Sequence, residues 1–309
     1  MANARLPHDL KAAREAASLE PRSPSRALAH GEALRASGQL PDAIAEFQRA
    51  LRIDYTFADA RLALGCAWLE AGEPDKALEA FSHLEEDDEV RAKIAEAEAI
   101  KARPRSDAGY VRHLFDQFSV DYDQRMIGQL TYRAPQILRE LADLVMAGRD
   151  GISILDLGCG TGLSGAAFAD LASRLDGVDL SPAMIEKARA RNIYDSLIVG
   201  DIETQLSRSG SYDLILAADT LVYLGDLQAV FAGALQNLRP EGLFLFTVEK
   251  KAGEGFELGP KRRWRHAEDY LQALAAETGF DVVGLVTCAP RSEANVPVEG
   301  LAVALSRTV

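Results

Sequence analysis

"ILDLGCGTG", residues 154–162, sets Gly158, Gly160 and Gly162 directly behind an apolar run that contains Asp156. A glycine loop after an apolar strand lets backbone approach a ligand closely, so the spacing of these glycines bears on what the ligand is. A dinucleotide fold asks for G-x-G-x-x-G, whereas this loop reads G-x-G-x-G. No G-x-x-x-x-G-K-[ST] run supplies the lysine with which a P-loop meets phosphate charge. The ligand of this loop need not carry phosphates.

Around the loop, "SILDLG", "LDGVDLS", "LIVGD", "YDLILAAD" and "GLFLFTVE" are short apolar segments, most of them separated by room for a helix. Such alternation implies a parallel sheet with helices on both faces, and ligands of these sheets sit beyond the carboxyl ends of the strands. The informative residues therefore end the apolar runs: Asp179 in "GVDLS", Asp201 in "GDIE" and Asp219 in "AADTLVYL".

Taken in this order, the segments resemble the motifs of class I S-adenosylmethionine-dependent methyltransferases. The resemblance implies an α/β Rossmann-like fold, doubly wound, with a mostly parallel seven-stranded sheet, and S-adenosyl-L-methionine as cofactor. It implies that Asp156, Gly158, Cys159 and Gly160 form the first cofactor motif, and that Asp179, followed by Leu180, bridges the two ribose hydroxyls. Asp201 then meets the adenine amino group, Ile202 meets the ring, and Asp219 lies in the segment of cofactor and substrate contacts. A ligand with a sulfonium and an ammonium beside one carboxylate suits acidic strand ends, and a carboxylate accepts paired hydroxyls through charge-assisted hydrogen bonds. Cys159 reads as a small buried filler rather than a nucleophile. No metal-type spacing joins Cys66, Cys159 and Cys288, which are read as reduced thiols.

Ahead of the first strand, "FDQFSVDYD" and "LTYRAP" resemble the lid segment of the ubiquinone and Nod-factor group of small-molecule methyltransferases, which includes members fused to tetratricopeptide repeats. Phe118, Tyr122 and Tyr132 would then shape the cofactor entrance, although packing in a helix core accounts for the same aromatics. On the acceptor side, Arg263, Trp264, His266 and Tyr270 match that group's "R-[FY]-x-H-x-x-x-Y". His266 exchanges a proton near neutral pH and is the first candidate for a general base, with Tyr223 and Asp219 competing; a solvated or capping histidine is the alternative. Lys261, Arg262, Arg263 and Arg265 form a basic turn that meets either an acceptor's carboxylate or phosphate or only solvent. Arg291 and Glu293 face the pocket or pair with each other.

The amino-terminal part carries a repeat. At a period of 34, Gly31 pairs with Gly65, Gly38 with Gly72, Ala43 with Ala77 and Phe47 with Phe81. Leu64, Gly65, Trp68, Gly72, Ala77 and Phe81 follow the order of the tetratricopeptide repeat, which the pattern resembles. The stretches 8–20 and 89–103 have helical composition and are expected to cap the stack, since each unit needs neighbours over its apolar face. The helical pattern breaks at "KARPRSDAG", so an all-α TPR-like domain over 1–105 and a methyltransferase domain over 106–309 are expected.

The net charge of −13 argues against nucleic acid as a main partner, because phosphate backbones are met with Lys and Arg. The chain shows no signal-type apolar region and no run of eighteen uncharged apolar residues, so a soluble cytoplasmic protein without a membrane partner is expected. The expected reaction is methyl transfer by in-line displacement to a small-molecule oxygen or nitrogen nucleophile. The alternatives are a protein methyltransferase whose repeats recruit a peptide partner, and a cofactor-binding scaffold without turnover. "ADTLVY" stands where an asparagine-proline-proline-tyrosine motif would signal amide, DNA-base or glutamine methylation.

Overall fold

The computed structural model describes residues 6–102, 104–146, 148–208, 210–259 and 262–308. Two compact units divide between residues 103 and 104 rather than after 105. Pro104 and Arg105 belong to the second unit for a local reason: the Pro104 carbonyl accepts from the Gly225 amide at 2.7 Å, and Arg105 forms an isolated β-bridge with Leu224.

The first unit is helical throughout. Helices α1 (Leu6–Leu19), α2 (Pro24–Ala36) and α3 (Leu40–Ile53) precede α4 (Ala58–Glu70), α5 (Pro74–Phe81) and α6 (Asp88–Ala102). The repeat is α2 with α3, then α4 with α5, with α1 packed on α2 and α6 on α5. The period has a direct physical cause. A Cβ on Gly31 would lie 2.5 Å from the Phe47 ring, and one on Gly65 would lie 2.2 Å from the Phe81 ring. Each glycine thus lets the aromatic of the next helix lie against backbone, and both phenylalanines are fully enclosed. Overpacking costs about 1–3 kcal/mol, so Gly65→Ala is expected to destabilise the unit by that amount; urea unfolding followed by helical circular dichroism checks it.

In the second unit α7 (Ala108–Phe118), α8 (Tyr122–Gly128) and α9 (Ala134–Val145) come first. There follow β1 (Ile152–Leu157), α10 (Leu163–Phe168), β2 (Ala172–Asp179), α11 (Pro182–Ala190), β3 (Ser196–Val199), α12 (Ile202–Leu206) and β4 (Tyr212–Ala217). The second half runs α13 (Gln228–Asn237), β5 (Leu238–Lys250), β6 (Phe256–Leu258), β7 (Trp264–His266) and α14 (Glu268–Thr278). It closes with β8 (Phe280–Cys288), a small β9 (Ser292–Glu293) and β10 (Val296–Pro297) pair, and β11 (Gly300–Arg307).

The main path of the sheet is β3-β2-β1-β4-β5-β11-β8, the seven strands expected, and β6 with β7 extends it beside β5 to make nine. Strands β3, β2, β1, β4 and β5 are parallel, while β11 runs antiparallel to both β5 and β8. All six residues of β1 are buried, as a strand covered on both faces requires. One face packs Phe231, Phe244, Phe246 and Phe280 under α13 and α14, and the other packs Leu138, Ile154 and Phe168 under α9 and α10. Strand order reverses between β1 and β4, which opens a crevice at their carboxyl ends. Among the described residues no helix is long and apolar enough to cross a membrane.

Candidate functional site

A cavity of about 320 Å³ lies along that carboxyl edge. Its floor is the turn after β1. The Gly158 and Cys159 amides both donate to the Val178 carbonyl, at 2.8 and 3.0 Å, and Gly158 has φ +67°. A Cβ on Gly158 would sit 2.4 Å from the Thr220 side chain, so the left-handed backbone and the close approach of the β4 loop both require glycine there.

At the β2–β3 end, Asp179 accepts from the Gly160 amide at 2.9 Å and the Ser181 amide at 2.8 Å. Burial pushes its carboxyl up to about 6, against the lowering effect of those two amides. The sequence "LSPA" then starts α11: Ser181 caps the helix by accepting from the Met184 amide, and Pro182 opens its first turn. Asp201 likewise caps α12 through the Glu203 and Thr204 amides, and its other oxygen takes Arg105 at 2.6 Å. Arg105 also binds Glu203. Leu180 and Ile202 line the cavity between these acids.

The segment before β1 covers the site. Phe115, Phe118, Tyr122 and Tyr132 all border the cavity, and Phe115 meets Tyr122 and Tyr223 edge-on, with ring centroids 6.1 and 5.6 Å apart. The acids interleaved with these aromatics fasten the cover: Asp116 accepts from the Ser181 hydroxyl, and Asp123 from Thr161 and Arg191.

At the β4–β5 end the cavity is bordered by Asp219, Tyr223, Arg263 and Arg291. Asp219 has φ +56°, and its amide donates to the Thr247 hydroxyl at 2.8 Å. Arg291, 1% exposed, binds Asp219, Glu249 and Glu293. Arg263 binds Glu293 and lies 3.8 Å from Glu249, while Arg265 lies 3.5 Å from the other Glu249 oxygen. The hairpin of β9 and β10, turned by Ala294 and Asn295 in left-handed conformation, holds Glu293 in this cluster. Arg291 and Glu293 thus pair with each other, and Arg291 borders the cavity. Lys261, the fourth member of the basic turn, lies outside the described residues.

Two expected site residues are elsewhere. Asp156 is fully enclosed behind the loop, where it accepts from the Tyr194 hydroxyl at 2.7 Å, and it does not border the cavity. Its carboxyl braces the turn from behind through the Tyr194 hydroxyl. His266 is also fully enclosed and outside the cavity, stacked on Tyr270 with ring centroids 5.9 Å apart. Its Nε2 lies 3.0 Å from the Gly225 carbonyl and therefore donates, and burial holds the ring neutral by pushing it down to about 4. Placed on β7, where it pairs with β5, His266 fastens the hairpin; it cannot be the general base. Cys159 is buried, its thiol is pushed up by burial, and it borders the cavity. Gly158, Gly160, Asp179, Leu180, Asp201, Ile202, Asp219, Tyr122 and Tyr223 all border the one cavity. Among the described residues no cluster of His, Cys, Asp or Glu is arranged to hold a metal.

The buried Asp156 predicts a pH dependence of stability. Burial raises its carboxyl from the ordinary 3.8 to about 7, so between those values the folded state binds more protons than the unfolded. Its contribution is fully present below about pH 4 and is lost as pH rises through about 7. The stability of the native chain relative to Asp156→Asn is expected to fall across that window with a limiting slope of about 1.4 kcal/mol per pH unit. Denaturant titrations at pH 4.5 to 8 measure it, and a pH-independent difference contradicts the assignment.

Comparison with known proteins gives this architecture relatives. Residues 154–242 match the sequence model of a methyltransferase domain, and residues 31–80 that of a TPR repeat. Methyltransferase-like protein 27 of Homo sapiens is 34% identical over 164 residues, 52% of this chain and 64% of that protein. The malonyl-[acyl-carrier protein] O-methyltransferase of Serratia marcescens is 32% identical over 124 residues, 40% of this chain and 48% of that one. The N-methyltransferase NodS of Bradyrhizobium japonicum, solved with S-adenosyl-L-homocysteine, shares the fold with a TM-score of 0.51 at 21% identity, over 63% of this chain and 97% of that chain. The chain spans 64% and 48% of the lengths of the two curated relatives. Residues 154–242 are thus similar to a methyltransferase domain, on a fold shared with a solved methyltransferase, and residues 31–80 to a TPR repeat, as the glycine loop and the 34-residue period implied.

Proposed function

We propose that the chain binds S-adenosylmethionine along the carboxyl edge of the sheet and transfers its methyl group to an oxygen or nitrogen of a small molecule. The observation that carries this reading is the order of groups along the cavity: the glycine backbone at its centre, acids Asp179 and Asp201 on one side, and a polar pocket around Asp219 on the other. These groups fit the cofactor. Backbone without Cβ atoms allows close approach, Asp179 already presents its carboxylate to donors, and Leu180 and Ile202 offer apolar walls for a ring.

When bound, the cofactor supplies an activated methyl group on a sulfonium. The chain's part is alignment and exclusion of water, which promote in-line displacement without covalent catalysis. Phe115, Tyr122 and Tyr132 cover the site under the Asp116 and Asp123 fastenings, while Asp219 and Tyr223 stand where an acceptor would be oriented. A relative named for O-methylation and a fold neighbour named for N-methylation support an acceptor of either kind. The repeats favour a protein partner as well, through which the chain would be assembled or brought to its acceptor.

Calorimetric titration with S-adenosylmethionine, S-adenosylhomocysteine and NAD in parallel tests the reading; binding of the first two and not of NAD is expected, and the reverse would overturn it. Asp179→Ala is expected to weaken cofactor binding by about 1.5–3 kcal/mol, the scale of hydrogen bonds to a charged group. Because the Asp179 carboxyl is raised to about 6, cofactor affinity is expected to fall as pH drops below that value, and a pH series of the same titration checks it.

A further inference from the structure

The acceptor end of the cavity has an orientation of charge that its overall composition hides. Arg263 and Arg291 border the cavity, whereas Glu249 and Glu293, which bind them, do not. Glu249 is 5% and Arg291 1% exposed, so the Arg263 side chain, 21% exposed, is the more open of the two guanidinium groups at the cavity. Asp219 is the acid of this cluster that borders the cavity, and it is bound to Arg291. In a chain of net charge −13, an arginine open to the cavity offers an anion a partner, and a planar carboxylate matches the guanidinium fork.

At the same end the described residues offer no free proton acceptor. Among the described residues bordering the cavity there is no histidine and no lysine. The hydroxyls of Tyr122, Tyr132 and Tyr223 are pushed up by burial and stay protonated. A proton placed on Asp219 would break its ion pair with Arg291, and Asp179 and Asp201 lie at the opposite end of the cavity. An alcohol, a phenol or an ammonium must lose a proton to be methylated, whereas a carboxylate at neutral pH has none to lose.

From these two observations, and resting on the methyl-transfer reading above, we propose that the acceptor is a carboxylate held by Arg263 with Arg291 beside it, and that the product is a methyl ester. A carboxylate oxygen forms the new bond to the methyl carbon as the carbon–sulfur bond breaks and its electron pair passes to sulfur. The anion and the sulfonium become a neutral ester and a neutral thioether, and no proton is released.

The test has a binding arm and a chemical arm. In the first, protein saturated with S-adenosylhomocysteine is titrated with 3-phenylpropanoate and with its primary amide. The carboxylate is expected to bind at least tenfold more tightly, and Arg263→Gln to abolish the difference while cofactor binding stays intact; Arg263→Lys, which keeps the charge, is expected to recover part of it. The absence of any preference for the carboxylate would overturn the proposal. In the second, protein and methyl-labelled S-adenosylmethionine are incubated with a small-molecule extract, and the labelled products are treated with mild alkali. Release of the label as volatile methanol is expected, and it marks an ester. Alkali-stable label marks an ether or amine and would overturn the carboxylate assignment alone. Failure to bind the cofactor, or binding without any transfer, would overturn the methyl-transfer reading and this proposal with it.

Discussion

The turn after β1 is the constraint on which the site depends. Gly158 must leave the strand in left-handed conformation, give its amide to Val178 and leave room for Thr220, all within one residue. Thr220 in turn donates its hydroxyl to the Leu157 carbonyl at 3.0 Å, which draws the end of β4 against the end of β1. Asp179 accepts the Gly160 amide and brings the end of β2 into the same knot. Three strand ends are thereby fixed relative to one another, and the cavity is the space that remains above them. A side chain at Gly158 would disturb both the turn and the loop that carries Asp219.

Around this knot the unit divides its charges by task. Acids at the β2–β3 end are held by backbone amides, with Arg105 on the second oxygen of Asp201, and both Asp179 and Asp201 border the cavity. Acids at the β4–β5 end are paired with arginines, and Asp219, Arg263 and Arg291 border the cavity there. Burying such a cluster is worthwhile only when each charge is paired, because an unpaired buried ion costs several kcal/mol on the order of a whole folding margin. Arg291 satisfies that condition by binding carboxylates from the loop after β4, from β5 and from β9. The cluster also ties the β6–β7 extension to the sheet through Arg263 and Arg265.

Much of this was legible in the residues. The glycine spacing, the acids that end β2 and β3, and the 34-residue period each have a local cause, either a turn, a cap or a close contact, and local causes leave a pattern in sequence. The readings of Asp156 and His266 failed for one shared reason. Both residue types are at home in active sites, but burial depth is decided by packing: Tyr194 comes from beyond α11 to cover Asp156, and the β6–β7 pair turns His266 away from the cavity. Arg105 went unnoticed because its partners Asp201 and Glu203 lie almost a hundred positions away. Asp116 and Asp123 stand inside the lid segment, where an acid alternating with cavity aromatics is the local signal for a fastening. The pairing of Arg291 with Glu293, two residues apart, was legible, whereas its bonds to Asp219 and Glu249 join distant stretches and leave no local pattern.

The central claim is that one cavity, built on the Gly158 turn, holds a cofactor at its acidic end and an acceptor at its arginine end. A crystal structure of the chain with S-adenosylhomocysteine tests it most directly. The account predicts ribose hydroxyls on Asp179, the adenine ring beside Ile202, and the sulfur directed toward the pocket of Asp219, Arg263 and Arg291. A ligand bound with its ribose away from Asp179, or with its sulfur turned from that pocket, would contradict it.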